Sequence, residues 1–273
     1  MNEGRKNMKV AAIQMVSSPT PEENMVVAAK LLRQAKEAGA ELLVLPEYWS
    51  IMGLRDTDKV NCAEEFGRGS LQQFLSKLAQ ELDVILVGGT IPLKSDTETK
   101  IFNACLVFGQ DGNLLTRYDK IHLFGFSNGD ESYQESNTIT PGAEVVHFPS
   151  AIGDVGLGIC YDLRFPELFR SMGQCGLMIL PAAFTHVTGQ AHWEVLLRAR
   201  AIENQCYVLA SAQGGLHQNG RRTWGHSMLI DPWGKILDCV EQGEGYCIGD
   251  IDPIQMEKIR TNLPALKHRK LAC

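Results

Sequence analysis

Short apolar runs recur along the chain, at 9–15, 41–45, 84–89, 104–108, 155–160, 176–180, 206–212, 227–230 and 246–251. Each has the length of a strand and is bounded by Gly, Pro, Asp or Asn. Most lack the alternation of a half-exposed strand, which predicts sheets covered on both faces. Helical patterns lie between the runs. Leu71, Phe74, Leu75, Leu78, Ala79 and Leu82 form one apolar stripe, with Ser70 and Gln73 at capping-box positions before it. A Pro-Glu-Glu opening predicts a helix over 21–38, ending before Gly39. Further helices are expected over 166–172 and 190–204. The order is β-α-β-α, then hairpin-like pairs, then β-α-β-α and more strands. It predicts an α/β fold with a mixed sheet. With no linker, repeat or low-complexity stretch, residues 9–273 read as one domain behind a disordered extension, 1–8.

Composition narrows the class. Of 273 residues, 44% are hydrophobic and 21% charged, ordinary for a soluble globular domain. The net charge of −6 argues against a nucleic-acid partner. No run of about 18 apolar residues exists to span a membrane. The polar first residues lack the apolar core of a signal peptide, so a cytoplasmic address is expected. The eight cysteines include no CxxC pair, which disfavours a zinc ribbon or dithiol redox site. Most sit in apolar runs and read as small buried hydrophobes. Cys273 is expected to be exposed.

One cysteine differs. Val155-Gly-Leu-Gly-Ile-Cys160 is a glycine-containing strand ending on a thiol, followed by Tyr-Asp-Leu-Arg-Phe-Pro-Glu. A nucleophile on a strand-to-helix turn stands above its sheet with backbone N–H groups close by. Those groups are expected to lower the thiol pKa and to hold an oxyanion. None of the seven histidines sits in a signature that pairs it with Cys160, so a raised-pKa carboxylate becomes the candidate base. Leu42-Leu-Val-Leu-Pro-Glu47 ends a buried strand on such a carboxylate. Arg117-Tyr-Asp-Lys120-Ile-His sets a lysine among aromatic and apolar residues.

In this order the three segments resemble the nitrilase, or carbon–nitrogen hydrolase, superfamily, along essentially the whole chain. The resemblance implies a four-layer α-β-β-α sandwich, a homodimer or larger homo-oligomer, and a Glu–Lys–Cys triad at Glu47, Lys120 and Cys160. It implies no metal or organic cofactor. It adds Glu135, in Tyr-Gln-Glu-Ser, as an auxiliary acid, and the Tyr161 backbone N–H as an oxyanion donor. Glu167 reads as structural. A catalytically idle interaction module is the rival, and an intact triad argues against it. Fast iodoacetamide labelling of a low-pKa Cys160 is the expected discriminator.

The substrate is expected to be a small amide bearing a carboxylate or keto acid. Arg164, four residues after the thiol, can bind a carboxylate with two parallel hydrogen bonds, or else pair with Asp162 or Glu167. Ala183-Phe184-Thr185-His-Val-Thr188 presents hydroxyls beside a helix start. His217 and Arg221-Arg222 either meet a longer leaving group or form a solvated loop. The segments Arg-Phe-Pro-Glu, Ala-His-Trp-Glu and Gly-His-Ser-Met resemble the branch of amidases acting on deaminated glutathione and their ω-amidase relatives. A nitrile substrate fits less well.

Overall fold

A computed structural model describes residues 6–127, 129 and 132–271. The first sheet contains β1 (Met8–Gln14), β2 (Leu42–Val44), β3 (Ile85–Val87), β4 (Ile91–Lys94), β5 (Ile101–Phe108), β6 (Leu114–Asp119) and β15 (Gly245–Ile251). The second contains β9 (His147–Phe148), β10 (Val155–Leu157), β11 (Leu177–Ala182), β12 (Tyr207–Ala212), β13 (Ser227–Ile230) and β14 (Ile236–Val240). A separate ribbon pairs β7 (Gly125–Ser127) with β8 (Ser132–Gln134). The helices are α1 (Pro21–Glu37), α2 (Asp58–Asn61), α3 (Ser70–Leu82), α4 (Pro166–Ser171), α5 (His186–Asn204) and α6 (Pro253–Asn262).

Each sheet is built on a parallel trio. β1, β2 and β3 run parallel with α1 and α3 in the crossovers. β10, β11 and β12 repeat this with α4 and α5. α1 and α3 cover the first sheet, α5 covers the second, and β1 faces β12 and β13 across the middle. This is the expected four-layer α-β-β-α sandwich. The strand alternation divides its cores. Val10, Ala12, Leu42 and Val44 face the second sheet, while Ala11, Ile13, Leu43 and Leu45 join α1 and α3. Because both faces are dry, these strands read as unbroken apolar runs.

The sheets are stitched at the carboxyl ends of the parallel strands. Met15 bridges to Gln213, and the Gln14 side chain donates to Gly243 O at 3.0 Å and accepts from Ser227 N at 2.8 Å. That edge is where functional side chains of α/β sheets collect.

Several local expectations shift. Ser70 is the first residue of α3 rather than its cap. The Glu64 carboxylate accepts from Leu71 N at 2.7 Å and Gln72 N at 3.3 Å in its place. Gly69 makes room, since a Cβ there would overlap that carboxylate. α5 begins at His186, four residues early, because Thr185 caps it. The sequence pattern predicts no element at α6. Its buried residues are just Pro253, Met256 and Arg260, too few for a stripe. Its signal is Asp252-Pro253, where Asp252 Oδ1 accepts from Ile254 N at 2.8 Å and Gln255 N at 3.0 Å.

Strand β1 starts at Met8, one residue before the expected domain boundary. Residues 1–5 of the expected extension, and Cys273, lie outside the described residues. Of the other cysteines, Cys105, Cys175, Cys206 and Cys247 are buried, while Cys62 and Cys239 are half-buried. No helix among the described residues is long and apolar enough to cross a membrane.

Candidate active site

β10 ends at Leu157, and Cys160 opens a five-residue 3-10 turn with φ at +49°, a left-handed conformation that non-glycine residues adopt at a cost. Asp162 holds the turn. Its Oδ2 accepts from Ile159 N at 2.8 Å and from the Tyr118 hydroxyl at 2.7 Å. Its Oδ1 accepts from His122 N at 3.0 Å. One buried carboxylate therefore ties the thiol turn to the segment carrying Lys120. The strand before the thiol packs closely, as its glycines suggested: a Cβ on Gly156 would sit 2.6 Å from the Met172 sulfur.

Glu47 follows β2 and Lys120 follows β6, so both reach the same edge as Cys160. Glu47 is 1% exposed and Lys120 0% exposed, which makes their pairing obligatory. Lys120 Nζ lies 2.9 Å from Glu47 Oε1, and 3.0 and 2.8 Å from the two Glu135 oxygens. Asn103 Nδ2 donates to the same Glu47 oxygen at 2.9 Å. Glu135 also accepts from the Tyr48 hydroxyl at 2.8 Å and from Phe124 N at 2.7 Å. Burial alone would raise the Glu135 carboxyl pKa. The Lys120 charge and these hydrogen bonds outweigh it and hold the group below the usual carboxylate range. Burial likewise opposes the Lys120 charge, and the Glu135 and Glu47 carboxylates overcome it, so the ammonium is retained.

The thiol departs from expectation. Burial, then the negative Glu47, push the Cys160 pKa well above its ordinary value, although Lys120 and a backbone hydrogen bond at Ala183 oppose them. The expected lowering by nearby N–H groups is outweighed. Burial and the Glu47 charge thus favour the protonated form of the thiol.

The pocket over Cys160 is tight, about 10 Å³, and a much larger cavity of about 480 Å³ lies outside it. Chemistry and not size marks the active pocket, since Glu47, Glu135 and Cys160 line the small one. Tyr161, Arg164, Phe184, Thr185, Thr188 and Arg221 share its wall. The Arg164 guanidinium lies over the Tyr161 and Phe184 rings at 5.6 and 5.4 Å, with Nη1 3.2 Å from His192 Nδ1. Among the described residues it has no carboxylate partner; Asp162 is committed to its own turn. The Thr185 and Thr188 hydroxyls are 2.8 Å apart and bond each other, with Thr185 Oγ1 accepting from Thr188 N at 3.4 Å.

His217 does not reach the pocket mouth. It is buried, with Nδ1 2.9 Å from Ser17 O and Nε2 2.9 Å from Thr223 Oγ1. Sequence reasoning missed Tyr48 and Asn103, and left Arg221 undecided. Asn103 did carry a signal: it is the polar residue in Ile101-Phe-Asn-Ala-Cys-Leu-Val-Phe108.

The carbon-nitrogen hydrolase family model matches residues 9–261. The chain belongs to that family. It is 41% identical to a deaminated glutathione amidase from Synechocystis over 95% of this chain and 97% of that protein. It is 38% identical to an omega-amidase from Mus musculus, over 96% and 95% of the two chains. The fold matches Nit3 of Saccharomyces cerevisiae, a member of branch 10 of the nitrilase superfamily, with TM-score 0.88 and 34% identity over 97% of each chain. It also matches the C. elegans NitFhit protein at TM-score 0.89 and 35% identity; 97% of this chain is covered, but only 65% of that longer one. As a family member the chain is a carbon–nitrogen hydrolase with amidase activity. Among the described residues no group of three or more His, Cys, Asp or Glu side chains is placed to hold a metal ion.

Proposed function

We propose that this cytoplasmic enzyme hydrolyses deaminated glutathione to 2-oxoglutarate and cysteinylglycine through a thioester on Cys160. The observation that carries the reading is the buried Glu47–Lys120–Glu135 cluster, whose two carboxylates line the same pocket as the Cys160 thiol. A thiol that does not ionise by itself needs a base at hand, and Glu47 is the carboxylate that most raises it.

Glu47 takes the thiol proton as the sulfur attacks the amide carbon. The three N–H bonds of the Lys120 ammonium are spent on Glu47 and Glu135 at rest. Once Glu47 is protonated its hold on Lys120 weakens. The ammonium then turns one N–H, with that of Tyr161, toward the oxyanion. Glu47 gives its proton to the nitrogen, the C–N bond breaks and the amine leaves. Glu47 next draws a proton from water, whose oxygen attacks the thioester carbon. The C–S bond breaks, the acid departs, and Glu47 returns the proton to the sulfur, restoring the thiol. Glu135 keeps Lys120 in place throughout. Arg164 takes the keto-acid carboxylate, and Phe184 and the Thr185–Thr188 pair form the wall beside it.

The homodimer belongs to the same reading. Val195 and Ile202, one helical face of α5, are 64% and 49% exposed, and the turn holding the 65% exposed Trp233 packs there through Arg198 Nε to Gly234 O at 2.8 Å.

The test is turnover of deaminated glutathione against 2-oxoglutaramate, measuring 2-oxoglutarate from both, in wild type, Cys160→Ala and Glu47→Gln. Both variants should lose at least about 10²-fold in kcat. Glu47→Gln should also let the thiol ionise at lower pH, because the charge that opposes ionisation is gone; ultraviolet titration of the thiolate reads this. Retained turnover in Cys160→Ala sinks the mechanism. A preference for 2-oxoglutaramate reassigns the substrate and leaves the mechanism intact.

A further inference from the structure

The large cavity outside the catalytic pocket is lined by Tyr48, Arg55, Asp56, Lys59, Tyr133 and Arg221 among others. Its volume of about 480 Å³ is within the roughly 300–1,000 Å³ of ligand pockets. Two residues join it to the chemistry. Arg221 lines both spaces. Tyr48 lines the cavity, follows Glu47 in the chain and bonds Glu135. Glu47, which would protonate the leaving nitrogen, lines the catalytic pocket, and its chain neighbour Tyr48 lines the cavity.

Its charge is cationic. Lys59, on α2, has a side chain only 13% exposed, with Nζ 5.5 Å from the Tyr48 ring centroid. Its carboxylate partner, Asp56, is 78% exposed and 3.8 Å away, a loose pair. Arg221 stacks over Tyr133 at 4.9 Å and gives Nη2 to Ala183 O at 3.2 Å. Its Nε is buried and, among the described residues, bonds to nothing. Asn219 Oδ1 accepts from Arg221 N at 2.9 Å while its Nδ2 donates to Gly53 O at 2.7 Å, which pins the loop across the cavity. Two incompletely neutralised cations in a roomy hollow have the chemistry to receive a carboxylate.

We infer that this cavity is the leaving-group site, and that Lys59 and Arg221 select amides whose amine half is peptide-sized and ends in a carboxylate. The inference rests on the amidase reading above and adds to it the second half of the substrate. Arg164 and the cavity cations then grip opposite ends of one dianionic molecule, with the scissile amide between them. 2-Oxoglutaramate fills the first grip and leaves the second empty.

The experiment compares kcat/KM for deaminated glutathione and for the same compound with its glycine carboxylate converted to the primary amide. Wild type should favour the free acid by at least about tenfold, one good charged hydrogen bond. In Lys59→Met the ratio should collapse to about threefold or less, and Lys59→Arg should keep most of it. Equal kcat/KM for the two compounds in wild type overturns the inference, as does a ratio that survives Lys59→Met. Hydrolysis of 2-oxoglutaramate with neither peptide compound turned over overturns the deaminated-glutathione reading itself, and the cavity's role with it.

Discussion

Lys120 and Arg164 are two cations close to one thiol, and their surroundings are opposite. Lys120 is wholly enclosed and answered by two carboxylates within 3.0 Å. Arg164 is half-buried, sandwiched by Tyr161 and Phe184, and answered by no carboxylate among the described residues. The first charge is compensated by the protein, so it is built into the fold and held still for chemistry. The second meets, among the described residues, aromatic faces and a histidine and no carboxylate, so it is available to an anion from outside. Burial with full pairing marks machinery, and partial burial without pairing marks recognition.

The sharpest way to break this contrast is to remove each cation in turn. Lys120→Met leaves the Glu47 and Glu135 carboxylates facing each other without a counter-charge. It should cost about 3–5 kcal/mol of stability, read from the urea midpoint, besides eliminating turnover. A loss below about 1 kcal/mol would show that water or a proton compensates the pair, and the cluster would no longer count as part of the fold.

Arg164→Met should do the reverse. No carboxylate among the described residues loses a partner, so stability should stay within about 0.5 kcal/mol. The value of kcat/KM for a keto-acid amide should drop by about 1.5–3 kcal/mol, some 10- to 100-fold, through the lost charged hydrogen bonds. A large stability loss with little kinetic effect would make Arg164 a structural residue held by its rings.

The same contrast explains what could be read from the chain. Glu47 and Cys160 were legible because each ends an apolar strand, where a polar group is costly and therefore informative, whereas Lys120 follows β6, with its single buried residue, and was legible only through the order of the three segments. Runs without alternation predict sheets covered on both faces, while the four layers were implied by the family resemblance alone. Tyr48 was not legible as a site residue and Arg221 stayed undecided between a leaving-group contact and a solvated loop, because only the meeting of separate segments brings them to these spaces. The thiol pKa was misjudged for a related reason. Backbone N–H groups follow from local sequence, whereas the burial and the Glu47 charge that outweigh them are products of the whole fold. The antiparallel strands β4, β6, β9 and β14 escaped because they are short or exposed; β6, Leu-Leu-Thr-Arg-Tyr-Asp, has a single buried residue.

The smallest effect concerns a residue on which sequence and structure put different weight. Thr185 was read as a substrate hydroxyl, yet in the fold it caps α5 and bonds Thr188. A side chain already bonded on both counts has little left to offer a ligand. Thr185→Ala should therefore cost about 1 kcal/mol in stability, the usual value of an N-cap, with KM shifting far less than in Arg164→Met. The alternative has its own signature. If the hydroxyl turns from Thr188 to the substrate when the pocket opens, KM rises tenfold or so at unchanged urea midpoint, about 1.4 kcal/mol moved from folding to binding. Thr188→Val separates the two further. It removes the partner hydroxyl but keeps the backbone N–H that Thr185 caps, so a cap role predicts a smaller stability loss than Thr185→Ala gives, and a shared substrate role predicts the same rise in KM.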